Sequence, residues 1–169
     1  MENAASTSAR IDVLVVEPEK SPYIAQIDNT LKGQQQAVDG LIEYVHMEKD
    51  AILVCNEEGL FSKPLNRTFD TNGYEQAICG TFFIAGDGDG NLQSLSENQI
   101  VHFTEKFKDP EFFVKVEVDA ANYALISKSE KGNKIVSHTI ESGVVLAIVK
   151  SLHDIKDEPK SAPNKAPER

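Results

Sequence analysis

The sequence predicts an α+β domain with a mainly antiparallel sheet and two to three helices packed on it. Short runs rich in β-branched residues recur along the chain, and each has the length of a strand. Most neighbouring runs are separated by only a few polar residues, as in hairpins. A helix-capping sequence lies between two groups of these runs. Helices interspersed among hairpin-linked strands favour this fold class.

The first segment of the domain is predicted to be a strand followed by a helix. Residues 11–17 contain a run of valine and leucine that ends at Pro18, which is typical of a buried strand. A helix is predicted over about residues 29–38, with Asp28 or Asn29 as its N-cap. Its sparse apolar stripe begins at Leu31, and residues 34–36, all glutamine, lie on its other face.

The next segment is predicted to form a hairpin, a loop and a strand. Residues 41–47 and 51–55 are strand-like runs, and residues 48–50 form a short polar turn between them. Residues 57–73 show no clear period and are predicted to be a loop. Residues 78–85 are predicted to be one buried strand.

A capping box at Ser96 is the clearest local signal in the sequence. Ser96 and Gln99 have the spacing of a capping box, and Leu95 and Ile100 are placed to form a hydrophobic staple around it. A helix therefore begins here. It ends by residue 109, because Pro110 disfavours helical geometry in the residue before it.

The last third of the chain is predicted to contain a strand, a hairpin and a helix. Residues 114–118 alternate between valine and charged residues, which is the period of a half-exposed strand. Residues 123–127 and 134–139 form a predicted hairpin around residues 131–133. Residues 144–149 fit a strand or a helix, and a longer helical pattern favours the helix. Its apolar positions are Val145, Ile148, Leu152 and Ile155.

The domain organisation follows from composition. Residues 1–10 are predicted to be a flexible start and residues 157–169, with three prolines among charges, a disordered tail. One domain is predicted over residues 11–156. The 169 residues carry 17 basic and 27 acidic side chains, a net charge of −10. The tail is neutral, so the acidity belongs to the folded part, and direct nucleic-acid binding is not expected.

The predicted location is the cytoplasm. The start of the chain lacks a secretory signal, and the longest apolar run, residues 143–149, is too short to cross a membrane. The two cysteines, Cys55 and Cys79, lie in apolar strand-like runs and are expected to be buried free thiols. No disulfide and no membrane association is expected.

No catalytic residue, metal site or cofactor is predicted. The acidic segment at residues 87–91 begins like a calcium loop, but Leu92 replaces the required glycine and Asn98 the final glutamate. A strand-to-helix turn is therefore the expected structure. Its glycines lack a phosphate-binding spacing, and the four histidines are too dispersed for a metal site.

The sequence offers one candidate ligand site around Arg67. This residue is the only arginine within the predicted domain, and its planar fork suits a carboxylate or a phosphate. The alternative is an ion pair that holds the loop, with Glu43, Glu57 or Glu58 as its partner. The residues proposed to line the ligand site are Glu43, Asn56, Glu57, Asn66 and Arg67.

Several segments together resemble a small bacterial domain-of-unknown-function family. The matching segments are VLVVEP at 13–18, IDNTL at 27–31, AILVCNEEG at 51–59, PLNR at 64–67 and CGTF at 79–82, with Gln35, Gly40, Ile42 and Glu43 between them. The resemblance covers about residues 11–107, in a family-like core over residues 11–109. It implies a cytoplasmic protein of conjugative elements, plasmids or phages, especially in Firmicutes. It supplies no catalytic residues, and residues 112–156 are interpreted as an additional hairpin and helix.

Two functions remain open from the sequence. The first is a non-enzymatic acidic interaction protein of a mobile genetic element, whose partner is a protein, such as a basic nucleic-acid-binding host protein that it inhibits. An acidic face suits a basic groove, because long-range attraction accelerates association. The second is a small-molecule or nucleotide-binding protein, or a small enzyme, with its polar site around Arg67.

Overall fold

The computed structural model describes residues 9–71, 74–119, 122–130, 132–137, 140–141 and 144–145. These residues form an α+β fold in which the strand pairs are antiparallel, as predicted. The helices are α1 (Leu31–Val38), α2 (Gly59–Ser62) and α3 (Glu97–Phe107). The strands are β1 (Arg10–Val16), β2 (Tyr23–Asp28), β3 (Ile42–Met47), β4 (Ala51–Asn56), β5 (Leu65–Thr71), β6 (Tyr74–Cys79), β7 (Phe82–Asp87), β8 (Leu92–Gln93), β9 (Phe112–Asp119), β10 (Asn122–Ser129), β11 (Gly132–Ser137), β12 (Ile140–Glu141) and β13 (Val144–Val145).

The main sheet has the strand order β2-β1-β7-β4-β3, with β8 paired to β7. The predicted hairpin is confirmed as β3 and β4, which pair from Ile42 opposite Asn56 to Met47 opposite Ala51. The central strands are buried on both faces, which explains why they read as continuous apolar runs. Strands β3 and β2 lie at the two edges of this sheet.

Each face of the main sheet packs against a separate apolar cluster. On one face, α3 and the β5–β6 hairpin cover the sheet. The buried residues of this cluster are Leu14, Val16, Ala51, Leu53, Cys55, Phe69, Ile78, Phe82, Ile84, Leu95, Phe103 and Phe107. On the other face, α1 and the segment around Leu92 pack against the sheet. The buried residues there are Ile11, Val13, Val15, Val38, Ile52, Val54, Phe83, Ala85 and Leu92.

Helix α1 differs from its prediction at both its cap and its buried face. The N-cap is Thr30, whose hydroxyl accepts a hydrogen bond from the Gly33 amide at 3.0 Å. The proposed caps Asp28 and Asn29 are wrong, because β2 continues to Asp28. Gln34, expected opposite the apolar stripe, is buried, and Leu31 in that stripe is 61% exposed.

The segment between Asn56 and the buried strand β7 is more regular than predicted. Residues 57–73, predicted to be a loop, contain α2 and β5. The single strand predicted over residues 78–85 is two strands, because the chain turns at Gly80 with a φ of 82°. Strand β2 is not predicted from the sequence.

The predicted capping box of α3 is confirmed. The Ser96 hydroxyl accepts from the Gln99 amide, and the Gln99 side chain accepts from the Ser96 amide. The helix ends at Phe107, before Pro110, as predicted. The ring of Phe107 makes edge-to-face contacts with Phe69 and Phe82, which fixes the end of α3 against the sheet and the β5–β6 hairpin.

After α3 the chain forms a second sheet of β9, β10 and β11. The predicted strand over residues 114–118 and the following hairpin are confirmed, although the strand pairing extends into the predicted turn, since Ser129 pairs with Gly132 and Lys128 with Asn133. Residues 144–145 pair with residues 140–141 as strands, so a helix beginning at Val145 is wrong. The flexible start predicted over residues 1–10 is wrong at Arg10, which belongs to β1 and pairs with Asp28 of β2. Residues 1–8, the rest of the predicted helix and the predicted tail over residues 157–169 lie outside the described residues.

Candidate functional site

The five residues proposed for the ligand site belong to two separate hydrogen-bonded groups. Asn66 and Arg67 are adjacent on β5 and are buried, with exposed fractions of 0% and 1%. Asn56 is buried at the end of β4, and Glu43 and Glu57 are exposed near it. The structure therefore joins Asn66 to Arg67 and gives the other three residues a different setting.

The guanidinium of Arg67 donates hydrogen bonds to neighbouring parts of the protein through all three nitrogens. Nε and Nη2 both bond to the carbonyl of Phe107, at 3.1 and 3.0 Å. Nη2 also bonds to the Lys20 carbonyl at 2.6 Å, and Nη1 bonds to the side-chain and main-chain oxygens of Asn66 at 2.8 and 3.4 Å. A guanidinium has five N–H groups, and these five bonds employ all of them.

The environment of Arg67 combines burial with helix-end electrostatics. Burial lowers the pKa of Arg67, while the nearby charges of Glu111 and Asp109 raise it. Arginine nevertheless keeps its proton at physiological pH. The positive charge lies at the C-terminal end of α3, where the helix dipole favours a cation. The proposed ion pair with Glu43, Glu57 or Glu58 is wrong, because the side chain extends inward to main-chain carbonyls.

Asn66 extends the Arg67 contacts into the main sheet. Its side-chain amide donates to the carbonyls of Val16 and Gly80, at 2.9 and 2.8 Å. Its side-chain oxygen accepts from Arg67. The pair thus connects the end of β1, the turn after β6 and the end of α3, which are far apart in sequence.

A buried carboxylate, Glu111, forms a second polar contact beside Arg67. It accepts from the Thr68 amide and hydroxyl at 3.0 and 2.8 Å, and from the Ser127 hydroxyl at 2.6 Å. Glu111 therefore links β5 to β10 of the second sheet. This contact could not be predicted from the sequence, because Thr68 and Ser127 lie 43 and 16 residues from Glu111 and no local pattern relates them to it.

Asn56 organises the surface at the end of the β3–β4 hairpin. Its side-chain amide donates to the carbonyls of Val38 and Asp39 at 3.2 and 2.9 Å, and its side-chain oxygen accepts from the Glu58 amide at 2.8 Å. The adjacent Glu57 amide donates to the Leu41 carbonyl at 2.8 Å. Asn56 thereby holds the end of α1 and the loop after β4 together.

The loops that Asn56 fixes carry exposed carboxylates. Asp39, Glu57 and Glu58 are exposed, as is Glu43 on β3. Asp39 is ion-paired with Lys63 at 2.5 Å, and both the hydrogen bond and the charge of Lys63 lower the pKa of Asp39. This end of the main sheet is therefore acidic at neutral pH.

A polar cleft of about 490 Å³ lies at the opposite end of the hairpin. It includes the segment that resembles a calcium loop, which is a turn between the paired strands β7 and β8 and not the strand-to-helix turn expected from the sequence. Asp89 and Gly90 in this turn are left-handed, with φ of 64° and 100°. The described residues contain no group of histidine, cysteine and carboxylate side chains suited to a metal ion. The lining residues are Asp50, Asp87, Asp89, Gln93, Ser94, Ser96 and Gln99.

Neither cysteine adds a reactive group in the described part of the chain. Cys55 and Cys79 are buried free thiols, as predicted. Burial raises the pKa of Cys55 to about 12 and that of Cys79 to about 11, which suppresses the nucleophilic thiolate. His102 is a partly exposed residue of α3 that contacts Glu48 at 2.8 Å.

Taken together, the fold and these contacts define a small α+β domain with an internally bonded polar core and an acidic exterior. The chain belongs to the family described as Domain of unknown function (DUF3846), whose model matches residues 11–108. The match confirms the family resemblance seen in the sequence. No curated protein and no solved structure matches the chain. None of the helices in the described residues has the length and apolar character needed to span a bilayer.

Proposed function

We propose that this protein is a non-enzymatic interaction protein that binds a basic protein partner through its acidic exterior. The observation that supports this proposal most is that the Arg67 guanidinium is fully hydrogen-bonded within the protein. All five N–H groups of this side chain donate to oxygens of the protein itself. A ligand could be held there only by breaking bonds that join β5, α3 and the turn after β1.

The distribution of charge supports the same function. Residues 11–108 contain 16 acidic and 7 basic side chains, so the family domain carries nine of the ten net negative charges. Twelve of these acidic residues are described as exposed, against four basic residues. Such an imbalance attracts a basic partner over a distance and raises the association rate, with an effect that salt screens.

The proposed setting is a mobile genetic element in the bacterial cytoplasm. It comes from the conjugative-element, plasmid and phage distribution that the family resemblance implies. In that setting, a host defence or nucleic-acid-handling protein is the proposed partner, because its nucleic-acid groove is basic. Binding of the acidic domain in that groove would inhibit the host protein by competition.

Affinity capture from a bacterial lysate, at about 50 mM and about 500 mM salt, tests this function. The expected result is a basic protein that is retained at the lower salt concentration only, and that binds directly when both proteins are purified. A variant with Glu43, Glu57 and Glu58 changed to glutamine should bind the same partner more weakly. Retention that is insensitive to salt, or no specific retention, would contradict the proposal.

A thermal-shift screen with nucleotides and metabolites tests the ligand-binding function. A ligand present at 100 times its Kd stabilises the folded protein by about 2.7 kcal/mol, which is readily measured as a rise in Tm. We expect no such rise. A stabilising ligand whose effect disappears in Arg67→Lys would replace the interaction function with a binding site at Arg67.

A further inference from the structure

Strand β3 ends the main sheet on one side. It pairs with β4, and no other described strand pairs with it. Half of the main-chain N–H and C=O groups of such an edge strand point away from the sheet and are available for pairing. Natural edges are commonly blocked by lysine or proline, and the sequence of Ile42–Met47, IEYVHM, contains neither.

The opposite edge, β2, is partly occupied by side-chain contacts. The Arg10 guanidinium donates to the Gln26 carbonyl of β2 at 3.2 Å and to the Asp28 carboxylate at 2.9 Å. A strand approaching β2 would have to displace these bonds. The two edges therefore differ, and β3 is the more open of the two.

The surroundings of β3 are acidic. Glu43 projects from β3 itself, opposite Cys55 of β4, and is exposed. Glu57 and Glu58 are exposed just beyond the start of β3, where the Asn56 side chain fixes the loop that carries them. The start of β3 is thus bordered by three carboxylates in a defined position.

The same edge also offers apolar surface. Tyr44 on β3 is 47% exposed, and its hydroxyl donates to the Gln34 side chain of α1 at 2.6 Å, which orients the ring. Leu41, which precedes β3, is 52% exposed. An anchored tyrosine beside an aliphatic side chain is the kind of surface that partner proteins cover.

We propose that the edge of β3 left unpaired by the described strands binds an extended, basic segment of the partner protein as an added β-strand. This inference rests on the proposed interaction function and assigns it a surface. Main-chain hydrogen bonds to β3 would supply affinity, and the alternating side chains of the segment would reach Glu43 on one face and Tyr44 on the other. A second copy of this chain is disfavoured as the occupant, because it would bring like charges together.

The test uses the full chain and a synthetic peptide of alternating lysine and valine as the probe. Hydrogen exchange of the outward-facing amides of Ile42–Met47 is measured with and without the peptide at about 50 mM and about 500 mM salt. We expect protection of these amides at the lower salt concentration and its loss at the higher one. A peptide with glutamate in place of lysine should give no protection.

Two matched variants locate the charge effect. Glu43→Gln, Glu57→Gln and Glu58→Gln together should weaken peptide binding by about tenfold or more. Asp70→Asn, Glu97→Gln and Glu105→Gln change the net charge equally at exposed positions elsewhere, and should have a much smaller effect. Equal effects of the two sets would overturn the assignment to β3.

Three further results of the exchange experiment would also overturn the inference. They are protection confined to β2, peptide binding without added protection of β3, and β3 amides already protected in the free protein by a second copy or by residues 146–169. The first two leave the acidic interaction function in place. Failure of the peptide to bind overturns this inference alone, because the capture experiment on the natural partner decides the proposed function independently.

Discussion

Replacement of Arg67 by methionine is the sharpest test of the polar core. Methionine replaces the aliphatic part of the arginine side chain and suits a buried site, but it cannot donate a hydrogen bond. The change leaves three well-bonded acceptors without their partner, namely the carbonyls of Phe107 and Lys20 and the side-chain oxygen of Asn66. Each unpaired buried acceptor costs about 1–3 kcal/mol, and the Lys20 carbonyl costs less, because Lys20 is exposed and its bond to Arg67 is only partly buried.

The net effect is smaller than the sum of these costs. Removing the guanidinium also removes the cost of burying its charge, which offsets part of the loss. We therefore expect Arg67→Met to lower the free energy of unfolding by about 3–5 kcal/mol, a large share of the total for a typical domain. Arg67→Lys should fall between methionine and wild type, because it keeps the charge but not the planar fork.

Urea unfolding measures this loss. With an m-value of about 2 kcal/mol/M, a loss of about 4 kcal/mol lowers the midpoint by about 2 M. Lys32→Met provides the control, since Lys32 is an exposed cation of α1, and should change stability by less than about 0.5 kcal/mol. A midpoint for Arg67→Met within about 0.3 M of wild type would refute the view that Arg67 is a structural clamp.

Three further predictions concern the loops, the helix cap and the thiols. Asn56→Ala leaves the carbonyls of Val38 and Asp39, at the end of α1, without their side-chain donor and should lower the free energy of unfolding by about 2–3 kcal/mol; an unchanged Tm would contradict this role. Ser96→Ala removes the cap of α3 and should cost about 1 kcal/mol in urea unfolding, with a loss below about 0.3 kcal/mol as the opposing result. The native pKa values of Cys55 and Cys79 are raised to about 12 and 11, so the two protonated thiols stabilise the folded state fully at a pH below the unfolded pKa of about 8.5. This stabilisation declines as the pH rises towards the two native pKa values. Alkylation by iodoacetamide at about pH 9 should therefore be slow in the native protein and fast in urea, and rapid native labelling would show that the thiols are accessible.

The elements that could be predicted are those with a local signal. The capping box at Ser96 and the β3–β4 hairpin depend on residues within a few positions of each other, and both are confirmed. Strand β2 could not be predicted, because it lies at a sheet edge and its exposed positions include Tyr23 and Ile24, which break a simple alternation of polar and apolar residues.

The candidate site was harder to predict than the fold. Arg67 is the only arginine of the predicted domain, and this indicated correctly that it has a specific role. The carbonyls of Phe107 and Lys20, which accept hydrogen bonds from Arg67, are 40 and 47 residues away. They are main-chain groups that every residue type has, so no residue type in the sequence indicates them as partners. A buried arginine that serves the fold and one that serves a ligand therefore look alike until the tertiary contacts are known.

The contacts of the Glu111 carboxylate determine how far the chain can be truncated without loss of hydrogen bonds to β5. The family match ends at residue 108, three positions before the residue that accepts from both the amide and the hydroxyl of Thr68. A chain shortened to the family match would leave the Thr68 amide of β5 without its acceptor, next to Arg67 and without the neighbouring negative charge. The family match thus ends before a residue that bonds to β5 inside the fold, and we expect the family segment to be more stable when it is expressed with an end point beyond Glu111.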